Sequence, residues 1–347
     1  MQIMSKSTQE WRKFFYDKGV SEDLINKYLK YIEIIEKNNA PVIFELNHLS
    51  EILGLKVNYL SSAINSTKNH YRKFSIPKRS GGKREISTPY PALLTAQRWI
   101  KDEILSKQKI HESVHGFARN KSIISNASIH VGAKCLLKID IKDFFPSIKI
   151  NNIIRTFQQI GYANNVSFYL AALCCLDGSL PQGAATSPDL SNIICRSMDN
   201  RLNRLAKKCG LNYTRYADDM AFSGDVIHNS FVTLVIKIIN DSGFEINNEK
   251  TFLSRNKSKR ILTGISIAQE TLKIPKNYKR ALRRDVYFIK KYGLLSHLSK
   301  IKSRDPNYLD SIIGKLNFML SVEKDSQFAI TSLQRLRQIK EQLDHSS

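Results

Sequence analysis

The chain has 347 residues, of which 42% are hydrophobic and 24% are charged, so it holds enough apolar material for a large core and is not disordered as a whole. At about 150 residues per domain, this length indicates two or three structural units. Lysine and arginine number 54 against 31 aspartate and glutamate, and the net charge of +23 is more than an enzyme of small molecules usually carries. Such a charge favours a polyanionic partner, of which nucleic acid is the commonest.

The cysteines and the hydropathy pattern exclude several other classes. The five cysteines include no Cys-x-x-Cys pair, and their spacing fits neither a disulfide framework nor a structural zinc site. Residues 1–14 contain no apolar signal core, and the longest uncharged stretch, residues 156–176, is interrupted by glutamine and asparagine. We therefore expect a protein of a reducing compartment that has no membrane segment.

The first half of the chain predicts helices followed by strands. Residues 8–65 have apolar residues three and four apart, which predicts several short helices. Residues 71–87 predict a basic hairpin of two short strands around the turn Arg79-Ser80-Gly81-Gly82. A helix is predicted over residues 93–105, and residues 134–140 predict a buried strand that ends in a carboxylate.

The second half begins with a helix predicted from about Ser187 to Lys208, because apolar residues recur along one face and Pro188 lies near its start. Residues 213–223 predict two short strands with Ala217-Asp218-Asp219 at the bend. From Asn277 the pattern is mostly helical. Residues 255–304 contain fifteen lysines and arginines against two acids. This pattern indicates either a surface that binds a nucleic-acid duplex or a charged surface that only faces solvent.

Paired acids at the bend Tyr216-Ala217-Asp218-Asp219 favour a bound cation, because adjacent carboxylates repel each other, although Asp-Asp is also common in surface turns. A second acid, Asp140, ends the predicted strand 134–140. Neighbouring strands of one antiparallel sheet could present Asp140 and Asp218 to the same hard cations, since Mg²⁺ prefers one or two carboxylates, waters and substrate phosphates. Two such ions roughly 4 Å apart can activate a 3′-hydroxyl and stabilise a leaving pyrophosphate, which is polymerase chemistry.

Several blocks across residues 71–270 together resemble the ordered motifs of reverse transcriptases: Ile76-Pro77-Lys78 to Arg84-Glu85-Ile86, Asp140 to Phe145, Leu180-Pro181-Gln182-Gly183, Tyr216 to Asp219 and Gly243 to Thr251. Two more blocks are similar to elements of the retron type in particular. Asn126-Ala127-Ser128-Ile129-His130 resembles an Asn-Ala-x-x-His element, and Leu262-Thr263-Gly264 resembles a Val-Thr-Gly element in which Leu262 replaces the valine.

The resemblance implies an α+β fold, a right-hand polymerase with an antiparallel-sheet palm, fingers and a helical thumb. The expected divisions are an N-terminal helical region at 1–70, fingers at 71–135 and 149–180, a catalytic palm at 136–148 and 181–266, and a thumb that binds RNA or duplex at 267–347. The resemblance leaves no room after the thumb for an RNase H or integrase domain, so removal of the template is expected to need another enzyme.

Carried over residue by residue, the resemblance implies a site for two Mg²⁺ ions. Asp140 and Asp218 would be metal ligands, the backbone carbonyl of Ile141 a further ligand, and Asp219 a supporting acid, all three acids being catalytic. The alternative for Asp140 is a strand-end residue that caps the next turn.

The resemblance also implies a nucleotide site. Lys78 and Arg84 match residues that hold the triphosphate, and their chemistry suits phosphate. Phe145 would lie beneath the sugar, where an aromatic ring excludes a 2′-hydroxyl and so selects dNTPs. Core packing is the competing role for the pair Phe144-Phe145. Because successive strand residues face opposite ways, one ring is expected to take each role. Gln182 and Gly183 would approach the nucleotide or template, or form a plain helix entry. Lys250 matches a lysine proposed to protonate pyrophosphate, and a phosphate-screening role is the alternative.

The expected contacts to nucleic acid are Asn126 and His130 in the upstream block and Lys276, Arg280, Arg283 and Arg284 in the basic C-terminal section. His130 could equally be a hydrogen-bonded structural residue. The resemblance further implies a cytoplasmic bacterial enzyme that copies part of a cognate noncoding RNA into a short branched RNA-linked DNA (msDNA), in antiphage defence with a separate effector protein. The alternatives are a reverse transcriptase of group II intron or diversity-generating type, or a catalytically idle RNA-binding scaffold.

Overall fold

The computed structural model describes residues 8–78, 81–255 and 260–344. Arg79 and Ser80 of the predicted hairpin turn lie outside the described residues. The first four helices confirm the prediction for residues 8–65 and are α1 (Thr8–Asp17), α2 (Glu22–Lys37), α3 (Leu46–Leu53) and α4 (Val57–Asn65). Helices α2, α3 and α4 join the main apolar core through residues such as Ile35, Leu49 and Leu60. Phe15 of α1 packs with Ile25 and Ile32 of α2 in a smaller apolar cluster.

The predicted hairpin is present as β1 (Tyr71–Pro77) and β2 (Lys83–Pro89), which pair antiparallel with Tyr71 opposite Pro89 and Pro77 opposite Lys83. Only the base of the hairpin reaches the core, where Tyr71 is 5% exposed. The rest of β1 is exposed to solvent. The hairpin therefore projects from the body of the protein with its basic side chains accessible.

A four-stranded antiparallel sheet lies at the centre of the molecule, in the order β4-β5-β3-β6. Its strands are β3 (Cys135–Asp140), β4 (Asn212–Tyr216), β5 (Asp219–Gly224) and β6 (Phe252–Arg255). The predicted strand ending in Asp140 and the two predicted strands around the Asp218 bend are confirmed. A separate small hairpin is formed by β7 (Ile261–Leu262) and β8 (Ile265–Ser266).

The two faces of the central sheet have different surroundings. On one side, which we call the core face, Leu137, Ile139 and Phe222 belong to the main apolar core. On the other side, the outer face, Leu136 and Ala221 pack with residues of β7, β8 and the short helix α6 (Ile123–Ser128). Because side chains alternate along a strand, Asp140 lies on the outer face with Leu136, at the end of β3 beyond this apolar cover.

Helices surround the sheet and cover its core face. In chain order they are α5 (Pro91–Glu103), α7 (Phe144–Ser147), α8 (Ile150–Ile160), α9 (Asn164–Cys174), α10 (Ser187–Ile194), α11 (Arg196–Lys208) and α12 (Asn229–Asp241). The single helix predicted from Ser187 to Lys208 is therefore wrong. Cys195 has a ψ of −7° in place of the −42° of an α-helix, which separates α10 from α11.

The predicted C-terminal helices are α13 (Lys276–Tyr292), α14 (Leu294–Ile301), α15 (Tyr308–Val322) and α16 (Gln327–Asp344). We call these four helices the C-terminal helical unit. Residues of α13, α15 and α16, including Leu282, Ile312 and Leu336, form an apolar core of their own. Across the described ranges, no helix is long and apolar enough to cross a membrane.

Candidate active site and nucleic-acid interface

The three predicted catalytic acids come together at one end of the central sheet, and we call Asp140, Asp218 and Asp219 the acid edge. Asp140 lies directly opposite Asp219 in the β3–β5 pair, so both side chains leave the same face of the sheet. Asp218 occupies the turn between β4 and β5, and its carbonyl accepts a hydrogen bond of 3.1 Å from the N–H of Ile141. The strand that carries Asp140 is thus tied through its backbone to the turn that carries Asp218.

The turn that presents Asp218 has an unusual backbone. Ala217 adopts a φ of +56°, a left-handed conformation that non-glycine residues seldom adopt. Only two residues, Ala217 and Asp218, separate β4 from β5. The left-handed residue makes so tight a reversal possible and places a carboxylate at its tip.

The acid edge is electrostatically crowded. Burial and then the negative charges of Asp140 and Asp219 raise the pKa of Asp218 above its ordinary value. Burial raises the pKa of Asp219 as well, against the opposing effect of Lys138, and the charge of Asp140 adds to the rise. The negative charge of Asp140 thus disfavours ionisation of both other acids, and cations near them lower that cost.

Two lysines contact the acid edge. The Nζ atom of Lys250 lies 3.1 Å from both carboxylate oxygens of Asp140, whose side chain is 8% exposed. The Nζ atom of Lys138, on the same strand as Asp140, lies 3.8 Å from Asp219. Lys250 was predicted from the sequence; Lys138 was not, although a lysine inside the apolar run Leu136-Leu137-Lys138-Ile139 is a signal that could have found it.

Phe144 and Phe145 lie in the short helix α7 and not in a strand, so the reason given for their facing opposite ways is wrong. The chain leaves β3 at Asp140 and, through the left-handed Asp143, enters a helical turn. Phe144 is 5% exposed and belongs to the main core. Phe145 is partly buried, and its ring centroid lies 6.3 Å from that of Phe117, which is 49% exposed. Phe145 is therefore the ring of the pair that is accessible.

The predicted triphosphate residues lie on the projecting hairpin. Lys78 and Arg84 are both exposed, and Arg84 is opposite Ile76 in the strand pair. Gln182 and Gly183 contact the same hairpin, because the N–H of Ser87 donates to the carbonyl of Gln182 at 2.8 Å. A Cβ on Gly183 would lie 2.7 Å from the carbonyl oxygen of Ser87, and its φ is +128°. The close backbone approach at Gly183 is therefore to β2.

Asn126 and His130 are buried, at 1% and 0% exposure, so the expectation that they contact nucleic acid directly is wrong for this structure. The His130 ring bonds to Ser223 at 2.6 Å and to Thr214 at 2.7 Å, both on the outer face of the sheet. Burial, with a smaller effect of His115, lowers the pKa of His130 to about 3, so the ring is neutral. The alternative reading, a hydrogen-bonded structural histidine, is the one that the structure supports.

The four predicted basic residues of the C-terminal section all lie on α13. Lys276, Arg280, Arg283 and Arg284 are exposed, while Leu282, Val286 and Ile289 of the same helix are buried. The guanidinium of Arg283 lies 5.3 Å from the ring centroid of Phe328, and Arg284 pairs with Asp285 at 3.3 Å. The helix thus presents a basic surface to solvent.

Comparison with known proteins identifies the family of this chain. Residues 76–274 match the model of the family described as reverse transcriptase (RNA-dependent DNA polymerase). The retron Ec86 reverse transcriptase of Escherichia coli is 32% identical over 306 residues, which cover 86% of this chain and 92% of that protein. The chain belongs to the reverse transcriptase family.

Further relatives assign this reverse transcriptase to the retron type. The retron Mx162 and Mx65 reverse transcriptases of Myxococcus xanthus are 31% and 36% identical over 70% and 62% of this chain, and the matched part spans 58% and 55% of those proteins. A solved telomerase structure from Candida albicans, in complex with a fragment of telomeric RNA, aligns with a TM-score of 0.42 and 13% identity over 78% of this chain and 63% of that one. The predicted enzyme class, RNA-directed DNA polymerase, and the predicted right-hand α+β fold are confirmed.

Reverse transcriptases generally use divalent metal ions. Within the described parts of this one, no group of three or more His, Cys, Asp or Glu side chains converges into a metal-binding cluster. The acid edge nevertheless suits Mg²⁺, because that ion commonly takes only one or two carboxylates and completes its shell with waters and substrate phosphates. The placement of Asp140 directly opposite Asp219, beside the turn that carries Asp218, is the observation that favours a cation at this edge.

The sequence reasoning missed a buried polar network behind the acid edge. Arg215 of β4 and Asp199 of α11 are both 0% exposed and form an ion pair on the core face of the sheet. Asn192 of α10 is 1% exposed and bonds to the same guanidinium. An arginine inside the strand Tyr213-Thr214-Arg215-Tyr216, and an acid between the buried Met198 and Leu202, are the signals that could have found this pair.

Proposed function

We propose that this retron-type reverse transcriptase copies part of a cognate structured noncoding RNA into a short DNA that stays joined to the RNA, as msDNA. The observation that carries the proposal is the acid edge, where Asp140 and Asp219 face the same side of a strand pair and Asp218 is held in the adjoining turn. The motif blocks quoted above support the retron product. The synthesis would serve antiphage defence in the bacterial cytoplasm, together with a separate effector protein.

In this proposal Asp140 and Asp218 hold two Mg²⁺ ions, with the Ile141 carbonyl as a further ligand and Asp219 as the supporting acid. The ions would supply activation of the primer hydroxyl and stabilisation of the leaving pyrophosphate. The ammonium group of Lys250 is bonded to both oxygens of Asp140, and its side chain is 57% exposed, so the same group would be able to reach a phosphate bound at the acid edge. It would then screen the pyrophosphate or protonate it.

The nucleotide would lie between the acid edge and the projecting hairpin. Lys78 and Arg84 would contact its triphosphate, and Phe145 would exclude a 2′-hydroxyl beneath the sugar. Gln182 and Gly183 would form the floor of this site through their contact with β2. The central sheet would serve as the palm, the hairpin and its helices as fingers, and the C-terminal helical unit as a thumb whose Lys276, Arg280, Arg283 and Arg284 follow the phosphate backbone.

The proposal is tested by what the enzyme makes. The protein is expressed in bacteria with the noncoding DNA that flanks its gene, purified, and its bound nucleic acid is sequenced before and after debranching. We expect one short DNA covalently joined to one RNA in the wild type, and the RNA alone with Asp218→Asn. Purified wild type should also extend oligo(dT) on poly(rA) in Mg²⁺, and Asp218→Asn should be slower by about a thousandfold or more, because a metal ligand loses its charge.

Asp225→Asn is the matched control, since Asp225 is an exposed acid just beyond the opposite end of β5 and its loss removes the same charge. This variant should extend the primer as the wild type does. Near-normal extension by Asp218→Asn would overturn the assignment of the acid edge. A DNA product that is never joined to RNA would leave the polymerase assignment standing and overturn the msDNA product.

A further inference from the structure

The carboxylate of Asp199 and the guanidinium of Arg215 form a forked ion pair in the interior of the protein. Arg215 donates from Nε to Oδ1 of Asp199 at 2.8 Å and from an Nη atom to Oδ2 at 2.7 Å. The pair has 0% side-chain exposure on both residues. Replacement of such a buried pair by well-packed apolar residues is often neutral or stabilising, so stability alone explains it poorly.

The remaining donors of Arg215 point toward the turn that carries Asp218. Its other Nη atom donates to the carbonyl oxygen of Ala217 at 3.1 Å and to the side-chain oxygen of Asn192 at 3.2 Å. The carbonyl of Ala217 belongs to the peptide plane that contains the nitrogen of Asp218, and that plane is rigid. A hydrogen bond to this carbonyl therefore fixes where the backbone of Asp218 begins, directly after the residue whose φ is +56°.

A second segment supports the same turn from the side. The amide nitrogen of Asn192 donates to the carbonyl of Gly116 at 3.0 Å, and residues 113–115 run beside β4, with Arg215 exchanging backbone hydrogen bonds with Ser113 and His115. A Cβ on Gly116 would lie 2.5 Å from the nitrogen of Ala217, a distance that real side chains essentially never reach. Asn192 thus connects the guanidinium to the backbone that touches the turn.

We propose that Asp199, Arg215 and Asn192 act as a positioning network that holds the Ala217–Asp218 peptide in the left-handed turn and so sets the place of the Asp218 carboxylate at the metal site. The inference rests on the proposed role of Asp218. Asp199 orients the guanidinium, and Arg215 donates a hydrogen bond to the Ala217 carbonyl. Asn192 connects the guanidinium of Arg215 to the backbone of Gly116. Lysine cannot replace Arg215 in this network, because a single ammonium cannot make the forked pair and reach the turn at once.

The test compares Arg215→Lys and the milder Asn192→Ala with Tyr213→Phe. The Tyr213 hydroxyl donates to Asp199 at 2.7 Å but no hydrogen bond joins it to the turn in the described structure, so its removal perturbs the same buried carboxylate without releasing the turn. We expect kcat on poly(rA)/oligo(dT) to fall about a hundredfold in Arg215→Lys and about tenfold in Asn192→Ala. KM for dTTP should stay within about twofold, because Lys78 and Arg84 are untouched.

A second readout does not depend on turnover. Binding of Mn²⁺ to the free enzyme, followed by electron paramagnetic resonance, should weaken in Arg215→Lys and Asn192→Ala in proportion to the loss of kcat, and Mg²⁺ should displace the bound ion from the wild type. Tyr213→Phe should lower the melting temperature while keeping kcat and Mn²⁺ affinity. Circular dichroism and binding of the copurified RNA identify any variant that fails to fold. If Arg215→Lys fails to fold, the kcat and Mn²⁺ affinity of Asn192→Ala test the inference.

The outcomes separate this inference from the proposed function. If Asp218→Asn is inactive while folded Asn192→Ala and Arg215→Lys keep wild-type kcat and Mn²⁺ affinity, the network is structural only and the inference is overturned. The same follows if Tyr213→Phe loses kcat and Mn²⁺ affinity as much as Asn192→Ala does. If Asp218→Asn itself is active, the proposed function fails before the network is in question.

Discussion

The central sheet and the C-terminal helical unit place charged residues in opposite surroundings. On the core face of the sheet, Arg215 and Asp199 are completely buried and the hydrogen bonds between them are short. On α13, the basic side chains are exposed, and the pair that Arg284 forms with Asp285 has a side chain that is 68% exposed. Exposed pairs of this kind contribute little to stability, whereas a buried charge that loses its partner is costly.

The two surroundings suit different kinds of function. A group at the acid edge acts through its position to within a fraction of an ångström, so one substitution there should have a large effect. A basic helix surface acts through its total charge on a flexible polyanion, so single substitutions should have small effects that add. Substitutions in the two regions are therefore expected to differ in the size of their effects.

Beyond the acid edge and the network behind it, the largest expected change concerns the choice of sugar at Phe145. If the accessible ring excludes a 2′-hydroxyl by its bulk, Phe145→Val should raise incorporation of ribonucleotides relative to deoxyribonucleotides by roughly ten- to a hundredfold. Single-nucleotide incorporation with dTTP and UTP measures this ratio. Phe144→Leu is the matched control, because its ring lies in the main core. It should lower the melting temperature and leave the ratio unchanged, and a ratio unaffected by Phe145→Val would mean that another residue reads the sugar.

A smaller effect is expected when basic residues of α13 are replaced, namely a weaker salt dependence of RNA binding to which each residue adds its share. Neutralising Arg280, Arg283 and Arg284 together, by substitution with glutamine, should flatten the dependence of log affinity on log salt by about two to three, because each arginine that binds a phosphate adds close to one to this slope. The affinity for the copurified RNA is measured across a salt series. Activity on poly(rA)/oligo(dT) at low salt should survive better than synthesis on that RNA, because the acid edge is unchanged.

The control for charge alone is the substitution by glutamine of Lys324, between α15 and α16, and of Arg335 and Arg337 on α16. All three are exposed, and their substitution removes the same three charges. A control triple that flattens the slope equally would show that only net charge matters. An unchanged slope in the α13 triple would mean that those three arginines face solvent in the complex.

Local patterns in the sequence were sufficient for much of the fold. The hairpin, the strand that ends in Asp140, the two strands around Asp218 and the C-terminal helices each have a pattern that is complete within a few residues, and all are confirmed. The errors occur where the decisive contact is distant in sequence. Nothing near Cys195 indicates the bend in the helix, and the hydrogen-bond partners of the His130 ring, Thr214 and Ser223, lie 84 and 93 residues away.

The residues of the candidate site likewise include some that the sequence indicated and some that it did not. The acids were found because carboxylates at strand ends are conspicuous, and Lys250 and Phe145 came from the family resemblance. Their roles stay predictions. Arg215 is the single charge of β4, and Asp199 is the single acid of the basic helix α11. Both were missed because only the packing of α11 against β4 brings the two charges together.

The smallest expected effect is on stability and concerns the outer face of the sheet. Burial lowers the pKa of His130 to about 3 and, with Lys121, that of His115 to about 4, while an unfolded chain binds a proton at each near 6.5. As the pH falls below 6.5 the unfolded state therefore takes up protons that the folded state does not, and stability falls. For each histidine the loss between pH 7.5 and pH 5 is about 2 kcal/mol.

His130→Gln, which keeps polar atoms for Thr214 and Ser223, should remove about half of the combined loss from the two histidines, and His115→Gln the other half. Urea unfolding at several pH values measures this, and a His130→Gln variant with the pH dependence of the wild type would show that the ring accepts a proton in the folded enzyme.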